Sequence, residues 1–194
     1  AGRSAAATDA EGGEFHVALL SDTHIPADRT EAYRGSNPCD NLDRIVPEVL
    51  TARPEGVVLC GDAARLEGRI EDYQQLLARI EPLAAAAPVC IGLGNHDDRA
   101  NFRKAFTSPA GTLAPIDGKH VTVIEHSSVR VIVLDSLLYT NKVAGLLGKA
   151  QRAWLTRSLP TLAARPLVFF VHHTLGEGDG DLLDADRLFN MVRP

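Results

Sequence analysis

Four times in this chain, a short apolar run ends in side chains of the kind that bind metal ions. Phe15-His16-Val17-Ala18-Leu19-Leu20 leads into Ser21-Asp22-Thr23-His24, and Val57-Val58-Leu59-Cys60 into Gly61-Asp62. Pro88-Val89-Cys90-Ile91-Gly92-Leu93 leads into Gly94-Asn95-His96-Asp97, and Leu167-Val168-Phe169-Phe170-Val171 into His172-His173. Runs of this length, rich in β-branched residues, read as buried strands. Strands buried on both faces belong to a sheet covered by helices. In open α/β sheets, sites form beyond the carboxyl ends of strands. Four strand ends, distant in sequence, therefore point to one crevice.

Each group also has an ordinary reading. Asp22 can cap a turn beside a surface His24, and Gly61-Asp62 and Gly94 to Asp97 can be simple turns. His172-His173 can be an exposed pair. Recurrence favours a shared site, because no comparable set occurs at the strands' opposite ends. If the first strand continues, Asp22 and His24 share one face. Carboxylates, imidazoles and a carboxamide, without thiolate, suit manganese, iron or zinc. They suit calcium less well. Two such ions about 3.5–4 Å apart need a bridging carboxylate, and Asp62 is the best candidate.

Helical stripes separate the runs. Leu42, Ile45, Val46, Val49 and Leu50 recur at spacings of three and four, which places them on one helical face. Asp40 or Asn41 is the expected cap and Pro54 the stop. Pro47 is expected to interrupt this helix or shift its start. Ile70, Tyr73, Leu76, Leu77, Ile80 and Leu83 form a second stripe, and Arg99 to Phe106 a short helix. Gln151, Trp154, Leu155, Leu159 and Leu162 outline another. Val121 to Ile124 and Val129 to Leu134 read as a hairpin. The sum is a layered α/β sandwich with an antiparallel component. Residues 1–14 read as a flexible tail, and residues 15–194 as one domain.

Composition narrows the function classes. Twenty Lys and Arg against twenty-five Asp and Glu give a net charge of −5, so nucleic-acid backbone is an unlikely partner. No apolar run approaches the ~20 residues of a membrane helix, and the N-terminus lacks the h-region of an uncleaved signal peptide. Cys39, Cys60 and Cys90 form no CxxC pair and read as small buried side chains. A soluble protein of a reducing, cytoplasmic compartment is favoured.

Asp22-x-His24, Gly61-Asp62, Gly94-Asn95-His96-Asp97 and His172-His173, in that order, resemble the calcineurin-like metallophosphoesterases. Asn95 to Arg99 with Phe102-Arg103 and Phe106, Leu134-Asp135-Ser136 and Gln151-x-x-Trp154-Leu155 look like the bacterial cyclic-nucleotide phosphodiesterase branch. The resemblance implies a four-layer α/β/β/α sandwich of two mixed sheets around a dinuclear centre. By position, Asp22 and His24 bind the first metal, Asp62 bridges, and Asn95 and His172 bind the second. The ions are manganese, iron or zinc, and a metal-bridging hydroxide hydrolyses a phosphodiester. The substrate is a small phosphoester, with nucleotides among the candidates. Asn95 and His96 contact the phosphate, and His96 protonates the leaving group. Arg99 is a further candidate for the phosphate, beside the alternative of a surface salt bridge.

One departure stands out. The family ends its site with a Gly-His-x-His segment, and no histidine follows His173 here. Two ligand positions are thereby missing. Asp179, Asp181, Asp184 and Asp186 read as a solvated acidic loop and helix start, not as substitutes. The chain is expected to be a fragment without its last strands, impaired in activity and prone to self-association through open sheet edges. The alternative is a non-catalytic, protein-binding scaffold on the same fold.

Overall fold

The computed structural model describes residues 14–108 and 110–193. The first half of the chain gives β1 (Val17–Leu20), α1 (Pro38–Ala52), β2 (Gly56–Cys60), α2 (Ile70–Ala86), β3 (Val89–Gly92) and α3 (Arg99–Ala105). The second gives β4 (Thr112–Leu113), β5 (Thr122–Glu125), β6 (Arg130–Val133), α4 (Gly148–Leu162), β7 (Leu167–Phe170) and α5 (Ala185–Val192). The tail expected over residues 1–14 lies, apart from Glu14, outside the described residues.

Helices α1 and α2 return the chain to the start of each next strand, so β1, β2 and β3 pair in parallel in that order. The second sheet has the order β4-β5-β6-β7. Its β5–β6 pair is the expected antiparallel hairpin, and β7 joins β6 in parallel through the α4 crossover. Of the two sheets expected to be mixed, only this second one is. The first is parallel throughout because a helix separates each of its strands.

Alternation along each strand sorts the core into three. Val57 and Leu59 of β2 pack outward against Leu42 and Val46 of α1 and Leu76 and Ile80 of α2. Val58 points the other way, with Cys90, Val131 and Val133, and fills the space between the sheets. Ile132 and Val123 face Leu147, Trp154 and Leu155 at α4 and Leu188 of α5. The layers are therefore α/β/β/α. Each fully buried Leu or Val adds about 1.5–3 kcal/mol. At Gly92, a Cβ would lie 2.9 Å from Val133 Cγ1, which sets how closely the sheets approach.

Several local expectations change. Asn37, not Asp40 or Asn41, caps α1, accepting from Asp40 N at 3.1 Å. Pro38 occupies the first turn, where a residue without an N–H fits. Pro47 lies inside α1 without ending it. Pro47 and Asp43 are both exposed, so water can serve the carbonyl that Pro47 leaves unpaired. Asp184 is not a solvated acid. It is buried and accepts from Leu147 N at 2.9 Å and Gly148 N at 3.1 Å, capping α4 from outside, and it pairs with Arg152. The three cysteines are buried and unpaired, Cys39 on α1 and the others on strands.

Candidate metal centre

Strand β1 ends at Leu20, and Asp22 and His24 do not continue it. Both take left-handed backbone, with φ of +53° and +45°, as does Asp62 at +49°. Such values are uncommon for residues other than glycine and concentrate at functional turns. The turns are held by backbone hydrogen bonds that extend the β1–β2 pairing. Asp22 N donates to Gly61 O at 3.1 Å, His24 N to Asp62 O at 2.9 Å and Ile25 N to Ala63 O at 3.0 Å. Asp22 and His24 therefore meet through a shared turn, not through the alternation of a strand.

Ligand atoms of Asp22, His24 and Asp62 all lie within 4.8 Å of one another. His24 Nε2 is 3.6 Å from Asp62 Oδ2 and 3.9 Å from Asp22 Oδ1. The other oxygen of Asp62 faces the second group: His172 Nε2 is 3.5 Å from Asp62 Oδ1 and 3.3 Å from Asn95 Oδ1. All five expected ligands thus converge, and Asp62 lies between two sets.

The donor set fits a cation. Asp62 is 3 % exposed. Among the described residues no Lys or Arg pairs with it; its charged-type neighbours are His24 and His172, and His96 N donates to Oδ1 at 2.8 Å. A buried carboxylate without a cationic partner is unfavourable. Both imidazoles are set for metal through Nε2. His24 Nδ1 donates to Arg65 O at 3.2 Å and His172 Nδ1 to Cys60 O at 2.9 Å. Such outer hydrogen bonds fix tautomer and ring plane in metal-binding histidines.

Tight backbone packing holds these loops. A Cβ at Gly94 would fall 2.2 Å from Asp62 Oδ1, and one at Gly61 would fall 2.6 Å from the His172 ring. Asp97 ties the loops together, accepting from Gly94 N at 2.8 Å, Ala64 N at 3.0 Å, Ala63 N at 3.2 Å and Tyr73 OH at 3.1 Å. Burial pushes its carboxyl up to about 6, against the pull of those N–H donors.

His96 lies beside His24, ring centroids 5.3 Å apart. It lines a recess of about 720 Å³ together with Asp22, His24, Tyr33, Asn41 and Arg65. Arg99 is elsewhere. Its Nε donates to Asp135 Oδ2 at 2.6 Å and its Nη2 to Asp135 Oδ1 at 2.9 Å and to Leu137 O. The fork proposed for phosphate instead neutralises a fully buried carboxylate, in a partly buried pair and not a surface one. His173 is buried, with Nδ1 2.7 Å from Ser136 Oγ. Burial, aided by the neighbouring His172, pushes its imidazole down to about 4. The carbonyls of Arg65, Cys60 and Leu66 that orient the site histidines had no signal in the sequence, since any residue supplies one. Asn141, whose Oδ1 is 3.0 Å from His96 Nδ1, sits in a loop without a motif.

Comparison with known proteins identifies the family. Residues 15–192 match the description of calcineurin-like phosphoesterases. This chain belongs to the calcineurin-like phosphoesterase family. A cAMP/cGMP dual specificity phosphodiesterase of Mycobacterium tuberculosis is 32% identical over 164 residues, covering 82% of this chain and 50% of that protein. A probable cyclic nucleotide phosphodiesterase of Rhodococcus erythropolis is 32% identical, covering 79% and 50%. A glycerophosphodiester phosphodiesterase of Enterobacter lignolyticus is 29% identical, covering 81% and 56%. The chain spans about half the length of these relatives. A crystal structure of a dimetal phosphatase from Danio rerio shares the fold, with a TM-score of 0.66 at 15% identity over 92% of this chain and 77% of that one. No described helix is long and apolar enough to cross a membrane.

Proposed function

We propose that this chain carries a dinuclear phosphodiesterase site. The observation that carries the reading is the position of Asp62, one oxygen toward His24, which lies beside Asp22, and the other toward His172, which lies beside Asn95. Asp22 and His24 would hold one ion, Asn95 and His172 the other, and Asp62 both. Manganese, iron and zinc all suit this donor set. Bound there, such cations neutralise phosphate charge and activate water for attack on phosphorus. Asn95 would also contact the phosphate. His96 protonates the departing oxygen, a role that suits an imidazole near neutral pH. The recess beside His96 receives the organic part of the substrate. The named relatives support a small phosphodiester, with cyclic nucleotides first. Retention of His96 beside the cluster argues against a purely non-catalytic scaffold. Five donor side chains are few for two ions, so weak metal retention and slow turnover are expected. Self-association belongs to the same reading, because Leu19 on edge strand β1 and Val168 on edge strand β7 remain exposed.

The test pairs metal analysis with hydrolysis of a bis-aryl phosphate. His96→Ala is expected to lower turnover about 10²-fold or more while metal content is unchanged. Loss of metal in that variant would remove the proton-donor role. Metal-supported hydrolysis absent from both proteins, at any manganese or zinc concentration, would remove the phosphodiesterase reading.

A further inference from the structure

The loop between β6 and α4 reaches the centre through Thr140 and Asn141, neither of them an expected site residue. Thr140 Oγ1 donates to Asp97 O at 2.8 Å, and Asn141 N donates to Asn95 O at 2.6 Å. These two contacts seat the loop on the turn that carries Asn95, His96 and Asp97. Asn141 has a φ of +62°, a conformation that Asn tolerates better than most residues. Its side chain is thereby aimed at His96. Nδ1 of His96 is 3.0 Å from Asn141 Oδ1 and 3.0 Å from Leu66 O. A carbonyl can only accept, so Nδ1 carries a proton. Nε2 of His96 has no hydrogen-bond partner among the described residues, and His96 lines the recess.

We propose that Asn141 is a positioning residue that holds His96 as its Nδ1–H tautomer and leaves Nε2 to serve the recess. The proposal rests on the reading of His96 as proton donor. When Nε2 gives up its proton, the neutral ring that remains must keep the proton on Nδ1. Two acceptors there stabilise that tautomer, and they come from two different loops. One carbonyl alone lets the ring pivot about a single bond; the second acceptor fixes its plane. The usual device for this purpose is a carboxylate. A neutral amide does the same without adding a third negative charge beside Asp22 and Asp62.

The measurement is the tautomer of His96 in the full 194-residue chain. It is read from long-range ¹H–¹⁵N correlations, with chelator present, well above the ordinary histidine pKa of about 6.5. The wild type is expected to show Nδ1–H. Asn141→Gly keeps the positive φ and the N–H to Asn95 O and removes only the amide. It is expected to lower the ratio of Nδ1–H to Nε2–H about threefold or more, the effect of one lost hydrogen bond. Asn141→Asp, which retains an acceptor, is expected to restore the ratio. Nε2–H in the wild type, or an unchanged ratio in Asn141→Gly, overturns the proposal, and the wild-type spectrum alone can do so. Metal content of His96→Ala is a separate readout. Its failure would sink the proton-donor role and leave the tautomer ratio untouched.

Discussion

The same imidazole does different work in this molecule according to what its Nδ1 meets. In His24 and His172 it meets backbone carbonyls, and Nε2 faces carboxylates. In His96 it meets Leu66 O and an amide, and Nε2 is left without a partner. His120 is the opposite case. It is buried against the edge of Phe102, ring centroids 4.8 Å apart, and its Nδ1 has no partner. Burial holds its pKa below the ordinary 6.5, although the charge of Asp135 pulls it upward and those of Arg103 and Arg99 push it down. The unfolded chain therefore binds a proton at a higher pH than the folded one. No stability is lost to this group above about pH 6.5; as the pH falls below that, the unfolded state is progressively favoured until the folded pKa is passed. Urea unfolding with chelator present should show a midpoint that falls between pH 6.5 and 5. His120→Leu should make that fall shallower, leaving the share of His173, whose imidazole is also held low. An equally steep dependence in the variant would show that His120 is not its source.

Among elements, α1 shows how local rules and tertiary context divide the work. Its buried face, Leu42 and Val46 with Val49 and Leu50 alongside, follows from apolar spacing alone. Its start was harder to see, because Pro38 looks like a loop breaker until Asn37 is placed before it as the cap. Pro47 is accommodated inside the helix at the expense of one backbone hydrogen bond, on the side facing water. Pro47→Ala should restore that bond. An interior proline is worth about 3 kcal/mol against a helix, less the 0.4–1 kcal/mol by which it stiffens the unfolded chain. A net gain of about 2–2.6 kcal/mol is expected, read as a higher urea midpoint with unchanged slope. A lower midpoint would mean that Pro47 itself is needed for the packing of α1 on β2 and α2. Long apolar strands and helical stripes were thus legible. The two-residue β4, exposed on both residues, was not, and α5 was legible only as a helix start, whose first acid serves α4 instead. In the site, the candidate ligands stood out because side-chain chemistry marks them. Arg99 was misplaced because its partner, Asp135, is distant in sequence and buried.

At the scale of the whole molecule, the site is a seam. Four candidate ligands stand beyond the ends of β1, β2 and β3 in the first sheet, and the fifth, His172, follows β7 in the second. Its ring reaches across to Cys60 O, Asn95 and Asp62, and Gly61 leaves it room. Away from the site, the space between the sheets is filled by apolar contacts around Val58, Cys90, Val131 and Val133. A cation shared by Asp62 and His172 would add a polar tie between the two halves, and one that the unfolded chain cannot make. By mass action, an ion present at 100 times its dissociation constant adds about 2.7 kcal/mol to stability. Manganese or zinc should therefore raise the unfolding temperature, and chelator should reverse the rise. His172→Ala should shrink the metal-dependent part of the shift even where the metal-free stability of the variant differs. A shift of equal size in that variant would mean that any bound ion is held by Asp22, His24 and Asp62 alone, within the first sheet. The ion would then add no tie between the two sheets, and His172 would have no share in the centre.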